Sequence, residues 1–160
     1  MVKRVIHPAR AKLVGAMKNL QTANAQVGYF QEQGQHSSGF SYPALMYLQE
    51  VIGVPSASGK VYRRLFEITM MLNRQTLLEQ TKKNLYKQLS SLNTDPSDTL
   101  EAFAKNAQKA IKRGFGNSAI LPPNAPSTVK KKGFNAPLVE TGDLRDNLAY
   151  KISTKKGIKK

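Results

Sequence analysis

The sequence predicts an α+β fold: a small antiparallel sheet packed by helices, with a long proline-rich loop and a helical insertion. Three observations carry that expectation. Apolar residues recur at helical spacing around 7–22, 61–92 and 97–113, the repeat of a helix with one buried face. Segments 25–30 and 148–153 have strand character and lie near opposite ends of the chain. The chain has 160 residues and no cysteine; that length buries roughly 70% of the surface its unfolded form exposes, so one domain over 1–160 needs no disulfide.

The elements follow in order. Ile6, Ala9, Leu13, Ala16, Met17 and Leu20 set the face of a helix over 7–22, with Pro8 in its first turn. Its cations Lys3, Arg4, Arg10, Lys12 and Lys18 precede any acidic residue; the expectation is a helix packed on the sheet with its lysines in water. Ala25–Phe30 reads as a strand, and the polar, glycine-bearing 31–42 as a loop or hairpin tip. A short helix over 43–52 presents Ala44, Leu48, Val51 and Ile52 and stops at Gly53. Residues 54–60 read as a linker. Val61, Leu65, Ile68, Leu72, Leu78, Leu85, Leu89 and Leu92 then mark a long helix, broken in phase around Arg74–Thr76. Unbroken, it would be a rod of roughly 45–50 Å. Arg63, Arg64, Arg74, Lys82, Lys83 and Lys87 form its opposite face. The whole insertion spans about 55–93.

Asp95-Pro96 predicts the next helix start, a capping carboxylate before a first-turn proline. Leu100, Phe103, Ala104, Ala107, Ala110 and Ile111 form its buried face. Lys109, Lys112 and Arg113 suit its C-terminal dipole, and Gly114 and Gly116 end it. Pro122, Pro123, Pro126 and Pro137 make 115–137 an extended loop, long enough to be functional or disordered. Residues 138–145 enter a turn of helix that Thr141 or Asp143 is placed to cap. After the strand at 148–153, the basic tail 154–160 is expected to fray.

The net charge is +15, from 25 Lys and Arg against 10 Asp and Glu. Such a field draws polyanions or acidic partners. Tryptophan is absent and aromatics are 8%, without the interleaving of rings and cations that single-strand binding uses. Chemistry is hard to find. His7 and His36 stand apart with no ligand-spaced neighbours and read as ordinary surface residues. Glu140, Asp143 and Asp146 have helical spacing, which helix capping and pairing with Arg145 explain. Gly53–Lys60 is superficially like a phosphate-binding loop, but its spacing is one residue too long and Val61 follows the lysine. No nucleophile elbow or calcium loop occurs. The sequence predicts neither an enzyme nor a cofactor or metal. No stretch reaches the length of a membrane span, and the opening residues have no signal-peptide core; the expectation is a soluble, non-secreted protein.

The stretch from Asn124 to Arg145 is distinctive. It reads Asn-x-Pro-x-Thr-x-x-x-Lys-Gly, then Pro-Leu-x-x-Thr-Gly-x-Leu-Arg, then a strand. With Thr128, Gly133, Pro137, Leu138, Thr141, Gly142, Leu144 and Arg145 in place, it resembles the C-terminal signature of the neck and tail-completion proteins of long-tailed bacteriophages, a tail-terminator-like family. Val27–Phe30 and the Gly39–Gly53 segment are similar to that family's strand and short helix, less specifically. The resemblance covers about residues 100–153, with weaker coverage of 1–54. It departs at 55–93, where relatives carry a short segment and this chain a long basic one.

The resemblance implies a non-enzymatic virion protein, assembled in the host cytoplasm, that forms a homo-oligomeric, six-fold ring at the head–tail junction around the DNA channel. Its implied partners are further copies of itself, connector or head-completion proteins, and tail tube or terminator proteins, with non-specific DNA contact in the channel and no membrane. The implied interface residues are Thr128, Lys130, Lys131, Lys132, Gly133, Pro137, Leu138, Thr141, Gly142, Leu144 and Arg145. Prolines that hold the loop extended lower the entropy lost on docking, and a heterologous ring closes only by rotation onto the next copy. The alternative is a small basic nucleic-acid-binding protein, with Lys130–Lys132 and the 61–92 helix on phosphates.

Overall fold

A computed structural model describes residues 7–155 and 157–159; Lys3, Arg4 and Ile6 of the expected first helix lie outside them. The fold is α+β, with a small antiparallel sheet packed against helices. In chain order it runs α1 (Pro8–Gln21), β1 (Asn24–Gly28), a 3-10 turn (Gln31–Gln33), α2 (Tyr42–Tyr47), β2 (Val54–Ser56), β3 (Gly59–Val61), α3 (Leu65–Ser90), α4 (Ser97–Gly114), α5 (Pro126–Lys132), α6 (Asp143–Asp146), β4 (Ala149–Thr154) and β5 (Gly157–Lys159). The strands form a three-stranded sheet, β1-β4-β5, and a two-stranded sheet, β2-β3.

Two compact units divide these elements. One combines the described parts of 1–26, 75–106 and 150–160; the other combines 27–74 and 107–149. We call them the sheet unit and the groove unit.

In the sheet unit, the His7 side chain accepts the Ala9 N–H at the start of α1. Only Ala16 of α1 is buried, and Leu13, Val14 and Met17 are exposed, so its apolar face is largely in water. The tail expected to fray instead forms β5, paired antiparallel with β4 in the register Ile152↔Lys159 and Thr154↔Gly157. Lys159 meets Glu101 of α4, which also holds Lys105 at 2.7 Å. A salt-bridged carboxylate thus ties the last strand down, a long-range contact that local composition does not reveal. Asp95 starts α4 as expected, its carboxylate accepting from Ser97 N at 3.0 Å and Ser97 Oγ at 2.6 Å. Inside, Thr99 Oγ1 donates to Gln88 Oε1, and Gln88 Nε2 donates to the Asp95 carbonyl at 2.6 Å. This buried polar pair joins α3 to the start of α4.

The groove unit has a large apolar core: Tyr42, Met46, Leu65, Ile111, Phe115, Leu121, Leu144 and Leu148. Tyr29 stacks on Tyr42 at 5.9 Å and meets Phe66 edge-on at 6.3 Å. The short helix starts where expected, with Ser41 Oγ accepting the Ala44 N–H. Its buried face is not the expected one: Tyr42 and Met46 are inside, while Ala44, Val51 and Ile52 are exposed. Beyond α2, a π-helical turn over Leu48–Ile52, closed by Gly53 N–H to Leu48 O at 2.9 Å, breaks the 3.6-residue phase for Val51 and Ile52.

Three further expectations change here. The 54–60 linker is the β2–β3 hairpin, with Val54↔Val61 and Ser56↔Gly59 in register; this also disposes of the phosphate-loop likeness. The long helix begins only at Leu65, so its 26 residues span about 39 Å. Its predicted stripe is not one face either. Leu65 and Thr69 are buried in its first part, Leu77 and Gln88 in its second, whereas Leu72 and Leu78 are exposed. At about 100° per residue the second pair is turned roughly 110° from the first. Finally, 115–137 is not irregular throughout. It contains α5, started by Pro126 in the first turn and ended by Gly133 at φ 79°. Prolines spaced apart can open a helix as readily as prevent one.

Candidate functional site

The groove unit carries an open groove of about 910 Å³. Its walls come from the hairpin, the segment Pro122–Thr128, the C-terminal end of α5 and the Leu138–Leu144 turn.

Most of the signature residues meet along it. Thr128, Lys131, Lys132, Leu138, Thr141, Gly142 and Leu144 line the groove. Lys130 is exposed on α5 without lining it, and Gly133 ends that helix. Pro137 is buried, and its carbonyl accepts the Gly116 N–H at 2.8 Å, pinning the turn to the end of α4. Leu138 adopts φ 61° and packs on the core, a backbone region few branched side chains occupy. Thr141 Oγ1 accepts the Asp143 N–H at 3.3 Å, and Gly142 at φ 89° is the residue that starts α6. Leu144 is buried, and its carbonyl accepts from the Tyr29 hydroxyl. Arg145 is exposed, and its guanidinium is already taken by Asp146, at 2.8 Å and 3.4 Å. That pairing raises the Arg145 pKa and lowers that of Asp146.

His36 is not the ordinary surface residue its sequence context predicts. It meets Tyr42 edge-on, and its Nε2 lies 3.7 Å from Asp143. Asp143 also accepts from Tyr42 Oη at 2.9 Å and Asn147 Nδ2 at 2.7 Å. Asp143 therefore works as a structural hub under the Thr141-Gly142 turn. The Asp143 hydrogen bond and burial push the Tyr42 hydroxyl up; burial likewise raises that of Tyr29. Among the described residues no cluster of three or more His, Asp or Glu could hold a metal ion.

The site's strongest electrostatic feature was not legible in the sequence. Arg63 sits before α3, half-buried, rather than on a solvated helix face. It donates to Gln49 Oε1 at 3.1 Å, and to the Pro123 carbonyl and Asn124 Oδ1 at 3.4 Å. No carboxylate pairs with it among the described residues, and burial lowers its pKa. Its Nε and the neighbouring Asn124 Nδ2 are buried without an acceptor, at roughly 1–3 kcal/mol for each unmade bond. Lys132 adds a second desolvated cation. Burial lowers its pKa, Glu140 acts against that, and Arg63 reinforces it. Its ammonium donates to the Ala136 and Val139 carbonyls and lies 4.9 Å from the Phe134 ring.

On the opposite wall of the core, Glu50 accepts the Phe66 N–H at 2.5 Å. A side chain on the π-helical turn thus caps the first turn of α3. Burial raises the Glu50 pKa, while that backbone bond opposes the rise.

Comparison with known protein families, with curated proteins and with solved structures finds no match. Among the described residues no helix is long and apolar enough to cross a membrane.

Proposed function

We propose that this chain is a structural ring subunit of the phage neck or tail-completion type, joining head to tail by docking of shape-matched surfaces, without turnover. What supports the reading most is the behaviour of the 124–145 segment. The residues through which it resembles that family are those that pin the turn and line the groove. Gly142 and Gly133 sit at positive φ, Pro137 and Leu144 are buried, and Thr141 holds the entry to α6. Met71, Leu72, Leu78 and Tyr86 on α3 are all exposed and so available for docking in such an assembly. Arg145 enters the ring reading in a changed role. Its Nε and Nη2 are paired with the adjacent Asp146 on the surface, so any contact with a neighbour competes with that pair.

One observation favours the second reading, a nucleic-acid-binding protein: Lys130 and Lys131 stand exposed side by side within a chain of net charge +15. Native mass spectrometry at physiological salt, with a parallel titration against duplex DNA, separates the two. The ring reading expects a closed assembly of one stoichiometry whose formation needs no DNA. A monomer that binds duplex with an affinity falling steeply in salt overturns it.

A further inference from the structure

We infer that the groove beside Arg63 is a binding site for an extended acidic peptide of a partner protein, with one carboxylate seated on Arg63 and Asn124. Arg63 Nε and Asn124 Nδ2 are buried N–H donors without acceptors, and Asn124 Oδ1 lies 3.4 Å from the Arg63 guanidinium. The two side chains that carry the unmet donors are therefore neighbours, and a carboxylate has two oxygens to offer them. Arg63 is half-buried with no carboxylate beside it among the described residues, so its charge is partly desolvated without a counter-ion; an incoming anion supplies that partner.

The rest of the groove suits a peptide. Val54, Pro55, Val61, Pro122, Pro123 and Leu138 supply apolar contact along it, and Lys131 stands at its rim. A nucleic-acid strand fits less well. None of the lining residues is Phe, Tyr or Trp, the His36 ring is engaged by Tyr42 and Asp143, and Glu140 and Asp143 also line the groove. A second copy of the chain offers no acidic segment to fill it, since its 10 Asp and Glu are scattered among 25 Lys and Arg. The inference holds for a monomer as for a ring, so its failure and that of the ring reading are separable.

The probe is a fluorescein-labelled peptide of alternating glutamate and proline, followed by anisotropy at physiological salt. Its glutamine–proline counterpart and an oligothymidylate of matching charge serve as competitors. The acidic peptide should bind, the glutamine peptide should not compete, and the oligonucleotide should compete poorly. Arg63→Gln and Asn124→Ala should each weaken binding by about tenfold or more. Lys131→Glu alters an exposed residue and so tests the site even where Arg63→Gln fails to fold. It should weaken binding, whereas Lys109→Glu, an equal charge change on exposed α4 surface outside the groove, should not. Equal loss from Lys131→Glu and Lys109→Glu means attraction by net charge alone and overturns the inference. Equal binding of the glutamine peptide, or displacement by oligothymidylate at equal concentration, overturns it as well.

Discussion

The groove unit and the sheet unit are stabilised by different means. The first buries Tyr42, Met46, Leu65, Ile111, Phe115 and Leu148 in one cluster. The second buries small or polar side chains, Ala16, Ala104, Thr99 and Gln88, with Leu77 and Ile152 as its large apolar members, and leaves Leu13, Val14, Met17, Leu78 and Tyr86 in water. A large apolar cluster stabilises in proportion to the area it removes from water. A small core must rely on hydrogen bonds and ion pairs, which are lost in full when one partner goes. The groove unit should therefore suffer most from truncation of a side chain, and the sheet unit from loss of one polar atom.

The largest effect should come from Leu65→Ala, which opens a cavity at a site with 0% exposure and should cost about 2–5 kcal/mol. Leu72→Ala, on the same sequence stripe but 61% exposed, should stay within about 0.5 kcal/mol. Urea denaturation of both variants checks the pair; similar losses would mean that α3 buries one continuous face after all.

Gly114→Ala comes next. A Cβ there would stand 2.5 Å from Leu65 Cδ1 and 2.8 Å from Thr69 Oγ1, so the helices must part at about 1–3 kcal/mol. The glycine was legible as a helix stop, yet its tighter constraint is close packing of α4 on α3. A thermal midpoint equal to that of the parent would remove that role.

In the sheet unit, Thr99→Val keeps the shape and deletes the hydroxyl that donates to Gln88 Oε1. It should cost about 1–3 kcal/mol through the unpaired amide, while the double variant Thr99→Val with Gln88→Leu should recover part of the loss. Additive losses in that double-mutant cycle would show that the pair is not coupled.

The smallest effect is electrostatic. The Lys105 and Lys159 hydrogen bonds hold the Glu101 carboxyl down to about 2. Its folded pKa lies below the ordinary carboxylate value of about 4.3, so this tie is fully present above that value. It weakens as pH falls toward about 2. The protection of β5 amides, relative to their intrinsic exchange rates, should therefore fall on acidification through that window, and Glu101→Gln should flatten the dependence. Protection of β5 that stays constant across the window would assign the strand's order to its backbone pairing with β4 alone.

What the sequence determined by itself is local. The α4 face of Ala104, Ala107 and Ile111, the Asp95 start, the stops at Gly53 and Gly114 and the Thr141-Gly142 turn all depend on neighbours within a few residues. Short-range hydrogen bonding and backbone sterics act over that range. The signature from Asn124 to Arg145 was likewise readable as one connected stretch. Only the tertiary structure decided the rest. It turned the buried face of α3 between Leu65 and Leu77, placed α5 inside the proline-rich segment, and folded the tail onto β4. It brought His36 against Asp143, across more than a hundred residues of chain, and left Arg63 half-buried without a carboxylate. Those outcomes depend on which distant groups share the same space, and desolvation and close packing are properties of that space rather than of any residue's sequence neighbours.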